Sequence, residues 1–516
     1  CASAALERSR YGAGWKSPCQ DTMNLAHLLQ RQALQSPERP AILEAERLHA
    51  THGQWADRAA RLGAAMQAQG LQPGDRVLLF MRNHPRYLEF MFGCWWAGLV
   101  VVPVNNKLHL KEVQWIADNA QARWAFVTQD LVPPGDDLAG LAGVTEADSA
   151  QADAMLQHAT ALPAITERGA DDTAWLFYTS GTTGRPKGVM ITHRNLMTMG
   201  LGYFCDVDPI ASDDAIVYAA PMSHGAGIYA IPHLMAGARH VVPASGGFDA
   251  AELFDLGLKT GPLSLFAAPT IVKRLVDEAE AAGHSPARCA QAFKTIVYGG
   301  APMYAADIEL ALRVMGPRFV QIYGQGESPM TITVLPKNDI ADRRHPRWRE
   351  RLASAGRAFS CIELVIANER GLAFPQGEPG EIQIRGHNVM KGYWNLPEAT
   401  AEAINADGWF ATGDIARTDE DVYYYIVDRK KALIIRGGFN VYPREIEEVL
   451  YTHPAVAEAA VVGIPHDTLG EEVHARYADV KLASAERCPK ALGSQIKTAE
   501  VQFHHEVTNQ FLWNLF

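Results

Sequence analysis

The chain has 516 residues, 48% hydrophobic and 20% charged, which is enough for two or more domains with a substantial buried core. Its net charge of −11 and its pI of about 5.9 argue against a nucleic-acid-binding protein. The seven cysteines are scattered and never spaced as C-x-x-C. That usage is typical of a reducing compartment, here the cytoplasm, and offers no zinc site.

The two ends of the chain are predicted to be atypical, at residues 1–22 and 482–516. The first amphipathic pattern begins only at Met23. Beyond residue 481 the periodicity is weak, which leaves two interpretations: a divergent terminal helix and tail, or sequence from outside the true reading frame.

Between these ends, short apolar runs alternate with helical patterns. The longest run, residues 90–104, contains two glycines and a proline and is too short to span a bilayer, so it predicts a buried helix followed by a buried strand. Continuous apolar strands separated by helices indicate parallel sheets that are covered on both faces. Such strands are predicted at 76–81, 100–104, 124–128, 175–177, 215–218, 240–242, 263–266 and 295–298.

The pattern of polar and apolar residues changes in the last third of the sequence. Residues 362–366 and 381–385 alternate polar and apolar side chains, as half-buried antiparallel strands do. Strands at 433–435 and 456–462 around a helix at 444–450 predict a small α+β unit. The predicted fold class is α/β: a large N-terminal domain of parallel-rich sheets with helices, an antiparallel β subdomain and a small C-terminal α+β domain.

The segment 178–188, Y-T-S-G-T-T-G-R-P-K-G, packs hydroxyl side chains, glycines and one lysine directly after an apolar strand. Glycines let backbone N–H groups approach an anion, hydroxyl groups add donors, and Lys187 can supply positive charge to a phosphate. It is not the common P-loop, because Pro186 precedes the lysine and Gly188 follows it. Phosphate binding is preferred to a solvated turn, through Thr179, Ser180, Gly181, Thr182, Thr183, Gly184 and Lys187.

This segment resembles the phosphate-binding signature of the adenylate-forming superfamily, and the resemblance, which runs over about residues 23–481, points to its acyl-CoA synthetases. It implies an enzyme that activates a carboxylic acid with Mg·ATP as an acyl-AMP and then forms a CoA thioester. It also implies an N-terminal domain at 23–428, a hinge at 429–431 and a mobile C-terminal lid domain at 432–480.

Further motifs follow in the order found in that superfamily. By resemblance, Tyr323 stacks on the adenine and Glu327 binds Mg²⁺, although they could equally be a core tyrosine and a surface glutamate. Asp414, which ends D-G-W-F-A-T-G-D, and Arg429 are implied to bind the ribose; a surface turn is the alternative. The implied nucleotide contacts are Gly299, Gly300, Ala301, Pro302, Tyr323, Gly324, Gln325, Asp414 and Arg429, and the implied catalytic residues are Thr182, Lys187 and Glu327.

The implied acyl pocket is formed by His224, Gly225, Ala268 and Gly326. His224 lies in a loop whose histidine borders the substrate carboxylate in this superfamily, although a lone histidine is as often structural. Position 326 usually holds threonine. Gly326 lacks that hydroxyl, which leaves the carboxylate contact open or moves it to backbone N–H groups, and it is expected to enlarge the acyl pocket.

By resemblance, Lys431 lies at the hinge, and Gly437 and Gly438 lie along the path of CoA. The superfamily's catalytic lysine near the C-terminus has no counterpart, because neither Lys490 nor Lys497 follows a glycine. We expect an AMP-forming acyl-CoA ligase acting on a fatty acid. The alternatives are an enzyme that loads a carrier protein, and a nucleotide-binding protein impaired in adenylation. The expected partners are the carboxylic acid, ATP, Mg²⁺ and CoA, without nucleic acid or a membrane span, and a homodimer is left open.

Overall fold

The computed structural model describes residues 22–132, 138–179, 186–301, 303–368, 375–430, 434–436, 439–443, 446–447, 450, 456–466, 470–479 and 501–502. The helices are α1 Ala26–Gln35, α2 His52–Ala68, α3 Pro85–Trp96, α4 Leu110–Ala120, α5 Ala150–Leu156, α6 His193–Gly202, α7 Gly225–Ile228, α8 Ala230–Ala236, α9 Ala250–Thr260, α10 Pro269–Ala281, α11 Pro286–Ala292, α12 Ala305–Met315, α13 Lys337–Ala341, α14 Trp348–Leu352 and α15 Pro397–Ala403, with a π-helical turn at Tyr203–Val207.

The strands, in chain order, belong to four sheets. They are β1 Pro40–Glu44, β2 Arg47–Thr51, β3 Arg76–Phe80, β4 Val100–Pro103, β5 Ala122–Val127, β6 Gly143–Glu146, β7 Thr173–Thr179, β8 Lys187–Thr192, β9 Ala215–Val217, β10 Arg239–Val242, β11 Leu263–Ala267, β12 Phe293–Tyr298, β13 Phe319–Gln325, β14 Ser328–Leu335, β15 Arg357–Ala358, β16 Ile362–Ala367, β17 Gly380–Gly386, β18 Gly392–Tyr393, β19 Phe410–Thr418, β20 Tyr424–Arg429, β21 Ile434–Arg436, β22 Phe439–Val441, β23 Val456–His466, β24 Gly470–Asp479 and β25 Val501–Gln502.

A seven-stranded sheet has the order β18-β8-β7-β4-β3-β5-β6. Its centre is parallel, and β8 and β18 add an antiparallel edge. Every residue of β4 is buried, because its valines face side chains on both surfaces of the sheet. The helix α3, which supplies much of that cover, begins with Pro85 at its first turn, and the ring of His84 accepts a hydrogen bond from the Arg86 N–H.

A nine-stranded sheet has the order β15-β14-β13-β12-β11-β9-β10-β1-β2. The strands from β13 to β1 are parallel, and antiparallel strands again lie at both edges. The third sheet, β16-β17-β19-β20, is entirely antiparallel, and β17 alternates buried and half-buried residues. In the C-terminal part, β22-β21-β24-β23 form a further sheet, with β25 paired to β24.

The predicted α/β class is confirmed, and every predicted strand of the first three sheets is present. The sequence patterns missed the antiparallel edge strands, which make the two large sheets mixed rather than purely parallel. In the C-terminal unit the two predicted strands are present, whereas β22 and β24 were not predicted. Ile446 and Glu447 are helical, and part of the predicted helix around them lies outside the described residues. The domain boundaries and the hinge remain predictions.

The ends of three strands from two sheets converge on one region. Thr179 ends β7, Tyr298 ends β12 and Gln325 ends β13. Ligands of open α/β sheets bind outside the carboxyl ends of the strands, so this edge is where a site is expected. None of the helices in the described part of the chain is both long and apolar enough to cross a membrane.

Candidate active site

The predicted phosphate-binding segment connects two antiparallel strands. Thr179, the last residue of β7, is paired with Lys187, the first residue of β8. Residues 180–186 lie between these two residues in the sequence. The Lys187 Nζ atom lies 4.8 Å from the centre of the Tyr393 ring. The predicted phosphate contacts Ser180, Gly181, Thr182, Thr183 and Gly184 lie outside the described residues.

Glu327 lies in the tight turn between β13 and β14, because Gln325 pairs directly with Ser328. One carboxylate oxygen of Glu327 accepts a 2.8 Å hydrogen bond from the Tyr393 hydroxyl. Its backbone carbonyl accepts a second, also 2.8 Å long, from the Met390 N–H. The other carboxylate oxygen has no hydrogen-bond partner among the described residues, and the side chain is partly exposed. Such an oxygen fits a hard cation.

The predicted adenine loop begins where β12 ends. The Gly299 N–H donates to the carbonyl of Ala267 over 3.2 Å, and a Cβ at position 299 would collide with the backbone carbonyl of Ile322. Gly299 is thus required by the packing of neighbouring strands. Gly300 has a φ of +81°, which favours glycine, and open space lies beside it. The exposed Ala301 follows, and Pro302 lies outside the described residues.

Asp414 is the centre of a buried polar cluster. Its Oδ2 atom accepts hydrogen bonds from the Tyr323 hydroxyl at 2.5 Å and from the Gln325 amide at 2.6 Å. Its Oδ1 atom lies 3.3 Å from Nε of Arg429, the residue opposite it on β20. Asp414 is 3% exposed, so the alternative of a surface turn is wrong. Burial, reinforced by Asp414, raises the pKa of Tyr323 well above its usual value, so the hydroxyl remains a donor.

This cluster joins two sheets, because Tyr323 and Gln325 belong to β13 and Asp414 belongs to β19. Gly324, between them, cannot carry a side chain: its Cβ would stand 2.6 Å from the backbone nitrogen of Met330. The Arg429 side chain is 68% exposed and its guanidinium remains accessible. A carboxylate oxygen and an accessible guanidinium side by side can bind neighbouring hydroxyl groups.

The predicted acyl end is lined by aromatic and sulfur-containing side chains. His224 makes a 2.9 Å hydrogen bond through Nδ1 with the Ser223 hydroxyl, and its ring stands nearly perpendicular to that of Phe177, with 5.3 Å between the ring centres. Burial lowers the pKa of His224, so its ring is neutral at pH 7. A Cβ at Gly225 would stand 2.7 Å from the Met330 sulfur.

The expectation that Gly326 enlarges the acyl pocket is not supported. A Cβ at position 326 would stand 2.7 Å from Thr179 Cγ2 and 2.9 Å from the Phe177 ring. The space that a threonine would use is thus already filled by neighbouring side chains. Ala268 lies one residue beyond β11 and is the N-cap residue of α10.

Comparison with known proteins identifies the family. Residues 29–394 match the AMP-binding enzyme family, and residues 445–503 match the AMP-binding enzyme C-terminal domain. The chain belongs to the AMP-binding enzymes. A feruloyl-CoA synthase from an Amycolatopsis species is 36% identical over 447 residues, which cover 86% of each protein. The medium/long-chain-fatty-acid–CoA ligase FadD8 of Mycobacterium tuberculosis is 32% identical, over 88% of this chain and 79% of that protein. The crystal structure of ATP-bound MatB from Rhodopseudomonas palustris has a TM-score of 0.78 at 30% identity, over 90% of each chain.

These matches confirm the resemblance to the adenylate-forming superfamily and to its acyl-CoA synthetase branch. This AMP-binding enzyme is therefore an AMP-forming acyl-CoA synthetase. The structure brings Thr179, Lys187 and Glu327 to one end of the site and Tyr323, Gln325, Asp414 and Arg429 to the other. Lys431, Gly437 and Gly438 lie outside the described residues, as do Lys490 and Lys497.

Sequence reasoning on this AMP-binding enzyme missed three side chains. Phe177 was read only as part of a strand core, and nothing in the sequence distinguishes it from its apolar neighbours. Met330 has a φ of +65°, a conformation that is rare for a residue other than glycine and that no sequence pattern reveals. Tyr393 had a weak signal, since it lies beside Trp394 directly after a glycine.

Proposed function

We propose that this acyl-CoA synthetase activates a monocarboxylic acid with an apolar acyl group. A fatty acid is the first candidate. The observation that carries the proposal is the set of side chains around Gly225. Met330 and Phe266 occupy the space that a Cβ at Gly225 would enter, and Phe177 packs against the neutral ring of His224. An apolar lining favours an apolar substrate, because a second carboxylate or a sulfonate would lose its hydration there without gaining a cation.

The nucleotide half of the site supports ATP as the energy source. Asp414 and Arg429 suit the ribose hydroxyls, and Tyr323 with the 299–301 loop suits the adenine. Lys187 suits the phosphates. Glu327 fits Mg²⁺ through the carboxylate oxygen that accepts no hydrogen bond from the described residues, and the metal would offset the negative charge of the phosphates. These assignments, like the cytoplasmic location, are predictions, and a homodimer stays open.

The proposed reaction has two steps. A carboxylate oxygen of the substrate attacks the α-phosphorus of ATP, and the bond to pyrophosphate breaks. The thiol of CoA then attacks the acyl carbon, and AMP leaves with the electron pair of the broken C–O bond. The protein contributes by holding the reactants in line and by placing positive charge near the departing pyrophosphate.

An aromatic acid is the second candidate. The rings of Phe177 and Phe266, near Gly326 and Gly225, can make the edge-to-face contacts that aromatic groups prefer. The 36% identical feruloyl-CoA synthase acts, by its name, on such an acid.

A panel of carboxylic acids tests the proposal. We expect AMP, pyrophosphate and acyl-CoA from ATP, free CoA and octanoate, palmitate or ferulate, with malonate as the dicarboxylate control. Release of ADP and phosphate would rule out an adenylate. Preference for malonate would rule out the apolar acyl group, and thioester on a carrier protein but not on free CoA would change the acceptor. A second arm supplies synthetic acyl-AMP with CoA, which isolates thioester formation from adenylation.

A further inference from the structure

Tyr393 lies between two groups of the proposed phosphate site. Its hydroxyl donates to Glu327 over 2.8 Å, and the face of its ring lies 4.8 Å from the ammonium group of Lys187. The side chain is 8% exposed. We propose that Tyr393 is a positioning residue for adenylation, which aligns Lys187 and Glu327 while keeping them apart. The inference rests on the proposed roles of those two residues.

The backbone around Tyr393 is held by both parts of the site. Tyr393 pairs with Val189 in β8, the strand that begins with Lys187. The Trp394 N–H donates to the Gly188 carbonyl over 2.7 Å, and the Met390 N–H donates to the Glu327 carbonyl over 2.8 Å. The segment 390–394 therefore bridges the strand that carries the lysine and the turn that carries the glutamate.

A third contact fixes the tyrosine from the outside. Its N–H donates over 2.9 Å to the Thr400 hydroxyl, in the first turns of α15. Because the backbone is held on three sides, the ring has little freedom to follow a displaced lysine or glutamate. The ring instead sets the positions of the Lys187 and Glu327 side chains.

The chemistry of the two contacts leaves the working atoms available. An ammonium group over an aromatic face is attracted without giving up an N–H donor to an acceptor atom, so Lys187 keeps donors for a phosphate. The tyrosine hydroxyl occupies one oxygen of Glu327 and leaves the other for a cation. No ion pair between Lys187 and Glu327 occurs within the part of the chain that the structure describes. A direct pair would neutralise both groups.

The hydroxyl of Tyr393 donates its hydrogen to one carboxylate oxygen of Glu327. It therefore holds that side chain without adding a charge of its own.

The test compares the two half-reactions in the full-length enzyme. Tyr393→Phe removes the hydroxyl and keeps the ring under Lys187, whereas Tyr393→Leu removes both. We expect Tyr393→Phe to lower kcat of adenylation about 10-fold and to raise the Mg²⁺ concentration needed for half-maximal rate, because one hydrogen bond to a charged group is lost. Tyr393→Leu should also raise KM for ATP. Thioester formation from supplied acyl-AMP and CoA should change less than about twofold, since that step involves neither the β- and γ-phosphates nor their metal.

Two controls separate positioning from structural damage. Tyr423 is also buried, and its hydroxyl donates a 2.7 Å hydrogen bond to Asp339, away from the site. Tyr423→Phe removes this matched contact and should leave both half-reactions unchanged. In the Glu327→Gln background, Tyr393→Phe should add little, because the two residues act through one contact.

Three results would overturn the inference. These are an unchanged Mg²⁺ dependence in Tyr393→Phe, equal losses in both half-reactions, and full additivity with Glu327→Gln. Absence of AMP and pyrophosphate in the wild-type enzyme with every acid is a different result, because it removes the proposed function itself. An active wild type with an unaffected Tyr393→Phe removes only the positioning role.

Discussion

Replacement of Asp414 by asparagine is the sharpest test of the nucleotide site. Asparagine keeps the size of the side chain and one carbonyl acceptor, which can still receive the Tyr323 hydroxyl and the Gln325 amide. The new NH₂ group then takes the place of Oδ1, which lies 3.3 Å from Arg429 Nε. The ribose loses an anionic acceptor, and two donors face each other.

The expected magnitude follows from these contacts. A hydrogen bond to a charged group contributes about 1.5–3 kcal/mol, so the loss of one should raise the Kd for ATP roughly 10- to 100-fold. The free energy of unfolding should fall by only about 1 kcal/mol, because the tyrosine and the amide keep an acceptor. Alanine at 414 is less informative: it leaves both donors buried and unpaired, at a cost of about 1–3 kcal/mol each.

Isothermal titration calorimetry measures the Kd for ATP, and urea unfolding measures the free energy of unfolding. Tyr323→Phe is the matched control, since it removes a donor to Asp414 but keeps the carboxylate and the ring. We expect it to cost about 1 kcal/mol of stability and to leave ATP affinity within about threefold. If Asp414→Asn binds ATP as well as the wild type does while its stability falls, Asp414 is a structural link between sheets and not a ribose ligand.

Three further predictions concern the acyl end and the core. Gly326→Thr should lower the free energy of unfolding by about 1–3 kcal/mol in urea titrations, because the new Cβ would stand 2.7 Å from Thr179 Cγ2. Thr179→Ser, which removes that methyl group, should recover part of the loss. Gly225→Ala should shift the kcat/KM preference toward shorter acids, because the added methyl group lies 2.7 Å from the Met330 sulfur. Met330→Ala should shift the preference toward longer acids. Unchanged kcat/KM ratios across the acid panel would place Met330 outside the pocket. Burial lowers the pKa of His233 to about 4, below the unfolded value of about 6.5, so its contribution to stability should be lost as pH falls through that window, by about 2 kcal/mol at pH 5. In urea titrations at pH 7 and pH 5, His233→Leu should remove that contribution only, since burial also lowers the pKa of His52, His193 and His240.

The fold was largely predictable because parallel strands buried on both faces leave an unbroken apolar run. Val100–Pro103 and Leu263–Ala267 show this directly, since nearly all of their residues are buried. The edge strands were not predictable in this way. Lys187–Thr192 follows a glycine-rich stretch of sequence, and its place beside Thr173–Thr179 depends on tertiary pairing.

The site was predictable where chemistry is concentrated in one stretch of chain. Asp414 and Glu327 belong to local motifs that a reader of the sequence can find. Which tyrosine contacts which carboxylate was not predictable, because Tyr323 lies 91 residues from Asp414 and Tyr393 lies 66 residues from Glu327. The environment of Gly326 likewise depends on Phe177, in another sheet. Contacts of this kind leave no periodic trace in a single sequence.

The two carboxylates of the proposed site are held in the same manner. Tyr323 of the nine-stranded sheet donates to Asp414 of the antiparallel sheet, and Tyr393 of the seven-stranded sheet donates to Glu327 beside the nine-stranded sheet. Burial and the adjacent carboxylate raise the pKa of both tyrosines, so both contacts survive across the neutral pH range. A tyrosine brings no charge of its own, so it can fix a carboxylate without neutralising it. The three sheets of the large domain are therefore joined through the groups proposed to bind the ribose and the metal, and a shift between any two sheets must move one of those carboxylates.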